Sequence, residues 1–293
     1  MRWYARFGGS SSAVNHTSLE RVAIDRDGNV FVGGFSGDIG NAASGDAFVM
    51  KLDAAGHELW RRTMKSAGWD RVDGVELDSL GNVVVSGAFI GYAAGVGQIP
   101  PGPIQIGDKT LSAAGTHPYY VAKYSTAGTL IWAIVRDQDN AGPSLAVDPH
   151  DGIYLVGGLP PRIERLQATG TSVWNKPIPA GTPFVADLTT AADDSLLLTG
   201  TVSGSVDFGG GELPGVGDDV FVARVDAQGN HRSSRRFSTD SLQRGRAISV
   251  ISSELVFLAG SYEFQANFGN TPLSASVGNT DMFVTSVPLV AGK

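Results

Sequence analysis

An internal repeat is the feature that most constrains how this chain can fold. The segment Asp25–Phe35 (DRDGNVFVGGF) recurs at Asp78–Phe89 (DSLGNVVVSGAF), and weaker copies occupy 148–159, 192–202 and 252–262. One glycine recurs in every copy, at Gly34, Gly87, Gly158, Gly200 and Gly260. The spacing between these glycines varies from 42 to 71 residues, so insertions of different length separate equivalent units. Recurrence on this scale is typical of folds built from stacked supersecondary units.

A second motif follows each copy of the first. It is clearest at Asp46–Trp60 (DAFVMKLDAAGHELW), is repeated at Tyr119–Trp132 and Arg162–Trp174, and begins again at Asp219 and Asp281. Aromatic and β-branched residues fill both motifs, and Gly, Asp and Asn separate them, which indicates four short strands in each repeat. In the first repeat, the predicted strands are Arg21–Asp25, Asn29–Gly34, Asp46–Asp53 and Glu58–Arg62.

Four-stranded units of this kind bury both faces when they are stacked radially, and a closed ring leaves only short edges. The five copies therefore predict an all-β fold, a five-bladed β-propeller of four-stranded antiparallel blades that occupies residues 1–293 as a single domain. The fifth copy has no fourth strand after Val284, whereas Met1–Gly8 has the matching pattern, with Trp3 at the position of Trp60. We expect this N-terminal strand to close the last blade.

Composition and charge exclude several function classes. The chain has 22 basic and 29 acidic residues and no basic stripe, so we expect no nucleic-acid partner. It has no cysteine, which excludes disulfides, thiol catalysis and cysteine metal sites. No apolar run approaches the roughly 20 residues of a membrane span, and no phosphate-binding or nucleophile-elbow motif occurs. We therefore expect a monomer without a membrane span or a cofactor.

The repeat also resembles a known family. The segments VDFGGGELPGVGDDVFVARVDAQGN at Val206–Asn230 and IDRDGNVFVGGFSG at Ile24–Gly37 resemble the bacterial SBBP-type β-propeller repeat of secreted and surface proteins, notably of myxobacteria. The resemblance covers nearly the whole chain through its five copies. It implies a propeller fold and an extracellular or cell-surface location, and it implies little about activity. The family name refers to seven blades, whereas this chain has five copies.

The two ends of such blades differ in their connections. If the innermost strand comes first, the short turns between strands one and two and between strands three and four share one face, which we call the turn face. The longer connections then share the opposite face, the loop face; they are Phe35–Gly45, Ile90–His117, Thr201–Asp218 and Ser261–Thr280. Variable loops on a rigid frame are common binding sites, so we predict a cleft beside Ile90–His117, where the third repeat has almost no loop.

Four loop-face residues are the candidate binding residues: Trp69, Asp70, Tyr92 and His117. An exposed indole beside polar groups suits a sugar ring, although Trp69 could instead pack against its own blade. The resulting prediction is a non-enzymatic recognition or scaffold propeller that binds a carbohydrate or a protein partner through its loop face.

Two alternatives remain open, a carbohydrate-active enzyme and a structural spacer of a larger surface protein. The enzyme would use inward-facing carboxylates, with Asp73, Glu76 and Asp187 as candidates.

We predict no metal site. Asp25–Asn29 resembles the first half of a calcium loop, but a tight turn with glycine at positive φ explains it better. Hydrogen bonds to the local backbone explain the aspartates that begin the third strands, namely Asp46, Asp219 and Asp281.

Overall fold

The computed structural model describes residues 15–38, 45–93, 97–137, 143–158, 160–178, 183–239, 241–252, 255–269, 272–274 and 280–288. Every regular element in these ranges is a β-strand, so the predicted all-β class is confirmed. No helix in the described ranges is long and apolar enough to cross a membrane. The chain divides into two compact units, Met1–Leu145 and Ala146–Lys293.

The first unit contains the first two repeats. The first repeat forms β1 (Asn15–Ile24), β2 (Val30–Asp38), β3 (Gly45–Leu52) and β4 (Glu58–Lys65). The linking strand is β5 (Trp69–Asp70), and the second repeat starts with β6 (Gly74–Leu77) and β7 (Val83–Ala93). Three short strands are inserted, namely β8 (Gly97–Ile99), β9 (Ile104–Ile106) and β10 (Lys109–Leu111). The repeat ends with β11 (Tyr119–Tyr124) and β12 (Leu130–Arg136). In each repeat, the four main strands pair antiparallel in chain order.

Three further sheets follow. The third repeat contains β13 (Ser144–Val147), β14 (Ile153–Gly157), β15 (Arg162–Leu166) and β16 (Ser172–Pro177). The fourth contains β17 (Phe184–Thr190), β18 (Leu196–Ser203), β19 (Val206–Asp207), β20 (Glu212–Leu213), β21 (Asp218–Val225) and β22 (His231–Phe237). The fifth contains β23 (Gln243–Ser252), β24 (Leu255–Tyr262), β25 (Gln265–Asn267), β26 (Pro272–Ser274) and β27 (Asp281–Pro288). The sheet orders are β13-β14-β15-β16, β17-β18-β21-β22 and β23-β24-β27.

The acidic turn motif folds as its sequence predicts. The backbone N–H of Asp25 donates to the carbonyl of Asn29 at 3.0 Å, and Gly28 has a φ of 80°. The Asp25 carboxylate accepts the backbone N–H groups of Asp27 and Asn29 at 3.0 and 2.8 Å. Asp78 makes the same set of contacts in the second repeat. The turn interpretation is therefore confirmed at both positions.

The recurring glycines mark a close approach between the first two strands of a repeat. A Cβ atom built on Gly34, Gly87, Gly200 or Gly260 would lie 1.9–2.1 Å from a carbonyl oxygen in or beside the neighbouring strand. Those oxygens belong to Ser18, Arg71, Phe184 and Arg244. No real Cβ atom is accommodated at that distance, so only glycine fits.

The long insertions do not form open loops in the described residues. Three insertions contain a short antiparallel ribbon, β9–β10, β19–β20 or β25–β26, that buries two side chains in or directly after its first strand. The buried pairs are Ile104 and Ile106, Val206 and Phe208, and Ala266 and Phe268. In addition, β9 pairs with β4 of the preceding repeat. These parts of the predicted recognition loops therefore belong to the hydrophobic core.

Two of the recurring tryptophans, Trp60 and Trp174, bridge consecutive repeats. Trp60 packs edge-on against Phe31, with ring centroids 6.0 Å apart, and its indole N–H donates to the carbonyl of Thr126 at 3.0 Å. Trp174 donates in the same way to Ala227. Met1–Gly8, the predicted closing strand, lies outside the described residues.

Candidate binding surface on the loop face

The structure brings the backbones of the predicted binding residues to one end of β7. Trp69 pairs with Ile90, and Asp70 pairs with Phe89. Tyr92 lies two residues beyond Ile90 on β7, and its side chain is outside the described residues. The N–H of Phe89 donates to the carbonyl of Pro118, the neighbour of His117, at 3.2 Å. Segments that are distant in sequence therefore meet on one surface.

The Trp69 side chain is fixed on one side and open on the other. Its ring meets Phe35 edge-to-face, with centroids 5.5 Å apart. It also covers Gly45, where a Cβ atom would lie 3.2 Å from the indole, and 47% of the residue is exposed. Trp69 thus packs against its own repeat and still presents aromatic surface to solvent.

Asp70 differs from the expected exposed carboxylate, because it is fully buried. It accepts hydrogen bonds from the backbone N–H and the hydroxyl of Ser66, both at 2.6 Å. Burial raises the pKa of Asp70 to about 7, although the hydrogen bonds from Ser66 oppose this increase. The charge of Asp46 also raises the pKa of Asp70, and the charge of Lys65 lowers it. Asp70 therefore holds the 66–70 turn that carries Trp69.

An ion pair that the sequence analysis did not identify lies at the adjoining ends of β3 and β4, where Asp46 follows the Gly45 that the indole covers. Lys65 Nζ lies 3.0 Å from Asp46 Oδ2, and 65% of the lysine side chain is exposed. A lysine at the end of β4 opposite an aspartate at the start of β3 is the sequence signal for this pair.

His117 is half-buried, with its Nδ1 3.0 Å from the hydroxyl of Thr116. We define the Trp69 surface as Phe35, Asp46, Lys65 and Trp69.

The carboxylates considered for an enzymatic role have structural partners. Asp73 accepts hydrogen bonds from Arg71 Nε at 2.9 Å and from the N–H of Ala88 at 3.1 Å. Burial raises the pKa of Asp73, and Arg71 opposes that effect. Asp187 accepts the N–H of Ile248 at 2.9 Å, and Glu76 is half-buried. Asp73 and Asp187 thus satisfy backbone donors of neighbouring strands.

One cluster in the second unit has the composition of a metal site. Asp148, His150 and Asp194 each place one ligand atom within 4.8 Å of the others. His150 Nδ1 lies 2.8 Å from Asp194 Oδ1, and this contact raises the pKa of His150. Arg165 contacts the buried Asp148 at 2.8 Å. The two cations balance the two carboxylates when His150 is protonated, so the cluster is internally neutral without a metal ion.

The raised pKa of Asp70 predicts a pH-dependent stability. Its folded pKa of about 7 exceeds the ordinary value of 3.8, so the folded state binds more protons between these values. Stability must then fall as pH rises through this window. Asp70→Asn is expected to flatten the fall and to be more stable than the unmodified chain at alkaline pH by about 1 kcal/mol or more. Urea denaturation from pH 4 to pH 9 measures this difference, and parallel curves would contradict it.

Comparisons with known proteins concern the fold. No protein-family profile matches the chain. An uncharacterized WD repeat-containing protein of Acanthamoeba polyphaga mimivirus is 24% identical over 166 residues, which are 46% of this chain and 11% of that protein. The chain thus spans about a ninth of the length of this curated relative.

The solved structures that match this chain share little sequence with it. A protein of unknown function from Dyadobacter fermentans is 10% identical over 96% of this chain and 84% of its own, with a TM-score of 0.54. A Bacteroides caccae protein of unknown function is 10% identical over 83% and 70%, with a TM-score of 0.49. Virginiamycin B lyase of Staphylococcus aureus is 11% identical over 90% and 83%, with a TM-score of 0.41. The Dyadobacter likeness concerns the fold alone and does not extend to an activity, and the repeated antiparallel sheets fit a propeller-type repeat.

Proposed function

We propose that this protein is a non-enzymatic recognition propeller that binds a carbohydrate through the Trp69 surface. The observation that carries the proposal is the half-exposed indole of Trp69, which Phe35 and the β5–β7 pairing hold in place. A fixed aromatic ring offers apolar area to the C–H face of a sugar with little loss of side-chain entropy. The resemblance to the SBBP-type repeat adds the proposal of an extracellular or cell-surface location.

The neighbouring ion pair supports a polar ligand. Lys65 offers N–H donors and Asp46 offers acceptors at the adjoining ends of β4 and β3, with 65% and 32% of their side chains exposed. Sugars need an apolar wall together with a few donors and acceptors, which this surface provides. A protein partner that inserts a polar side chain is the second candidate, because the same groups would serve it.

The test compares Trp69→Ala with a matched substitution in the fifth repeat. Leu242 precedes Gln243 as Trp69 precedes Asp70, and Thr239 takes the place of Ser66, with its hydroxyl 2.6 Å from Gln243 Nε2. After a glycan array identifies a ligand, titration calorimetry is expected to show a loss of about 1–3 kcal/mol for Trp69→Ala. Leu242→Ala should bind normally. Unchanged binding in Trp69→Ala would overturn the site, and a pull-down that captures only a protein would favour the second candidate.

We further propose that five blades form the ring and that Met1–Gly8 supplies the fourth strand of the last blade. The described part of the fifth sheet has three main strands, with Met282 and Val284 of β27 88% and 75% exposed. An additional strand would satisfy the backbone groups of this edge.

Deletion of residues 1–8 tests the closing strand. We expect the deletion to lower the Tm by about 5 °C or more, because it exposes a strand edge. Trp3→Ala alone should give a smaller shift in the same direction. Thermal melts that coincide with that of the full chain would show that the N-terminal segment does not pair in this way.

A further inference from the structure

The first unit contains a cleft on the turn face, opposite to the Trp69 surface. The cleft has a volume of about 550 Å³ and lies between the acidic turns of the first two repeats. Its charged lining residues are Asp25, Arg26, Asp27, Lys51 and Asp78. This volume is within the roughly 300–1,000 Å³ typical of small-molecule sites.

The two aspartates at the base of the turns have little spare acceptor capacity. A carboxylate has about four acceptor positions. Asp25 receives two backbone N–H groups and the side-chain N–H₂ of Asn29, and the Lys51 ammonium lies 3.5 Å from its Oδ2. Asp78 receives the equivalent two N–H groups, Asn82 and Lys123. These hydrogen bonds contribute to a lowered pKa at both carboxylates. Neither aspartate is therefore suited to bind a cation or a ligand hydroxyl.

The cleft has hydrogen-bond donors that its own acceptors do not fully use. Lys51 is nine-tenths buried and lines the cleft, and its ammonium is 3.5 Å from Asp25 Oδ2. Its equivalent in the second repeat, Lys123, lies at 2.8 Å from Asp78 Oδ2 and is not among the described residues that line the cleft. An ammonium has three donors. The longer contact leaves Lys51 able to donate into the cleft, and Arg26 adds a second cation at its mouth.

We propose that this cleft binds a small organic carboxylate that carries hydroxyl groups, the chemistry of a sugar acid. Lys51 and Arg26 bind the carboxylate. Asp27, an exposed carboxylate at the mouth, accepts a ligand hydroxyl and disfavours dianions. Leu80, which is 75% exposed, lies against the C–H face of the ring.

Calorimetry and NMR titration with glucuronate test the proposal, with glucose as the uncharged probe. The full chain is expected to bind glucuronate saturably with a Kd of about 1 mM or tighter, and glucose at least about tenfold more weakly. Lys51→Met should weaken glucuronate binding by about tenfold or more. Lys109→Met is the control and should bind normally, because Lys109 is exposed and is not among the described residues that line the cleft.

The outcomes separate this site from the Trp69 surface. Trp69→Ala should leave glucuronate binding unchanged, so either site can fail alone. If Lys51→Met does not fold, Arg26→Ala at the exposed mouth is expected to weaken binding by about threefold or more. Equal binding of glucose and glucuronate, no saturation with the full chain, or equal losses in the two lysine variants would overturn the proposal.

Discussion

Gly200→Ala is expected to remove at least about 3 kcal/mol of folding stability. A Cβ atom at this position would lie 1.9 Å from the carbonyl oxygen of Phe184 and 2.9 Å from the backbone nitrogen of Ala186. Both contacts are with backbone, so no side-chain rotation can relieve them. β17 would have to separate from β18 at the irregular pairing between Val185 and Asp187.

Gly269→Ala is the matched control for this prediction. Gly269 has open space around its Cβ position and no positive φ, so alanine fits without a contact. Chemical denaturation of the two variants should separate the steric effect from the general effect of replacing glycine, which is below about 1 kcal/mol. Equal stability of the two variants would show that the first two strands of the repeat are not as close as the structure has them.

This glycine shows how much of the fold the sequence could predict. The recurrence of Gly34, Gly87, Gly158, Gly200 and Gly260 identified the repeat and its order of strands. Local chemistry also predicted the acidic turns, because an Asp that accepts nearby N–H groups needs only its own neighbours. The sequence did not show why glycine is required at these positions, because the requirement depends on how closely a neighbouring strand passes in the fold.

The structure of the long insertions was only partly predictable from the sequence. Ile104-Gln105-Ile106-Gly107 alternates as a strand does, and Val206–Gly209 and Ala266–Gly269 repeat the pattern. This signal could have predicted the ribbons that fill the core. Their length and glycine content instead favoured an interpretation as open loops.

The candidate site, too, was only partly predictable from the sequence. The segment that carries Trp69 and its place on the loop face followed from the order of the strands. The burial of Asp70 could not be predicted, because it depends on the turn in which Ser66 donates twice to one carboxylate. The donor role proposed for Lys51 rests on a difference of 0.7 Å between two equivalent ion pairs, at 3.5 and 2.8 Å, which sequence patterns do not contain.

The second large effect concerns the buried ion pair of the fourth repeat. Asp219 is fully buried, and its Oδ2 accepts Arg236 Nε at 2.6 Å and the hydroxyl of Ser238 at 2.7 Å. Arg236 also donates to the carbonyls of Gly204 and Gly217, and only 4% of its side chain is exposed. The pair therefore fastens both ends of the 204–217 insertion to β22.

Asp219→Ala is expected to cost about 3–5 kcal/mol, because it leaves the Arg236 guanidinium buried without its counter-ion. Asp46→Ala, at the same position of the first repeat, should cost less than about 1 kcal/mol, since Lys65 is mostly exposed and water can replace its partner. Urea denaturation of both variants measures the difference. The double variant Asp219→Ala/Arg236→Met should recover part of the loss, because it removes the unpaired charge together with its partner. If Asp219→Ala and Asp46→Ala cost the same, the Arg236 pair is not desolvated as the structure shows, and the insertion is held by its buried Val206 and Phe208 alone.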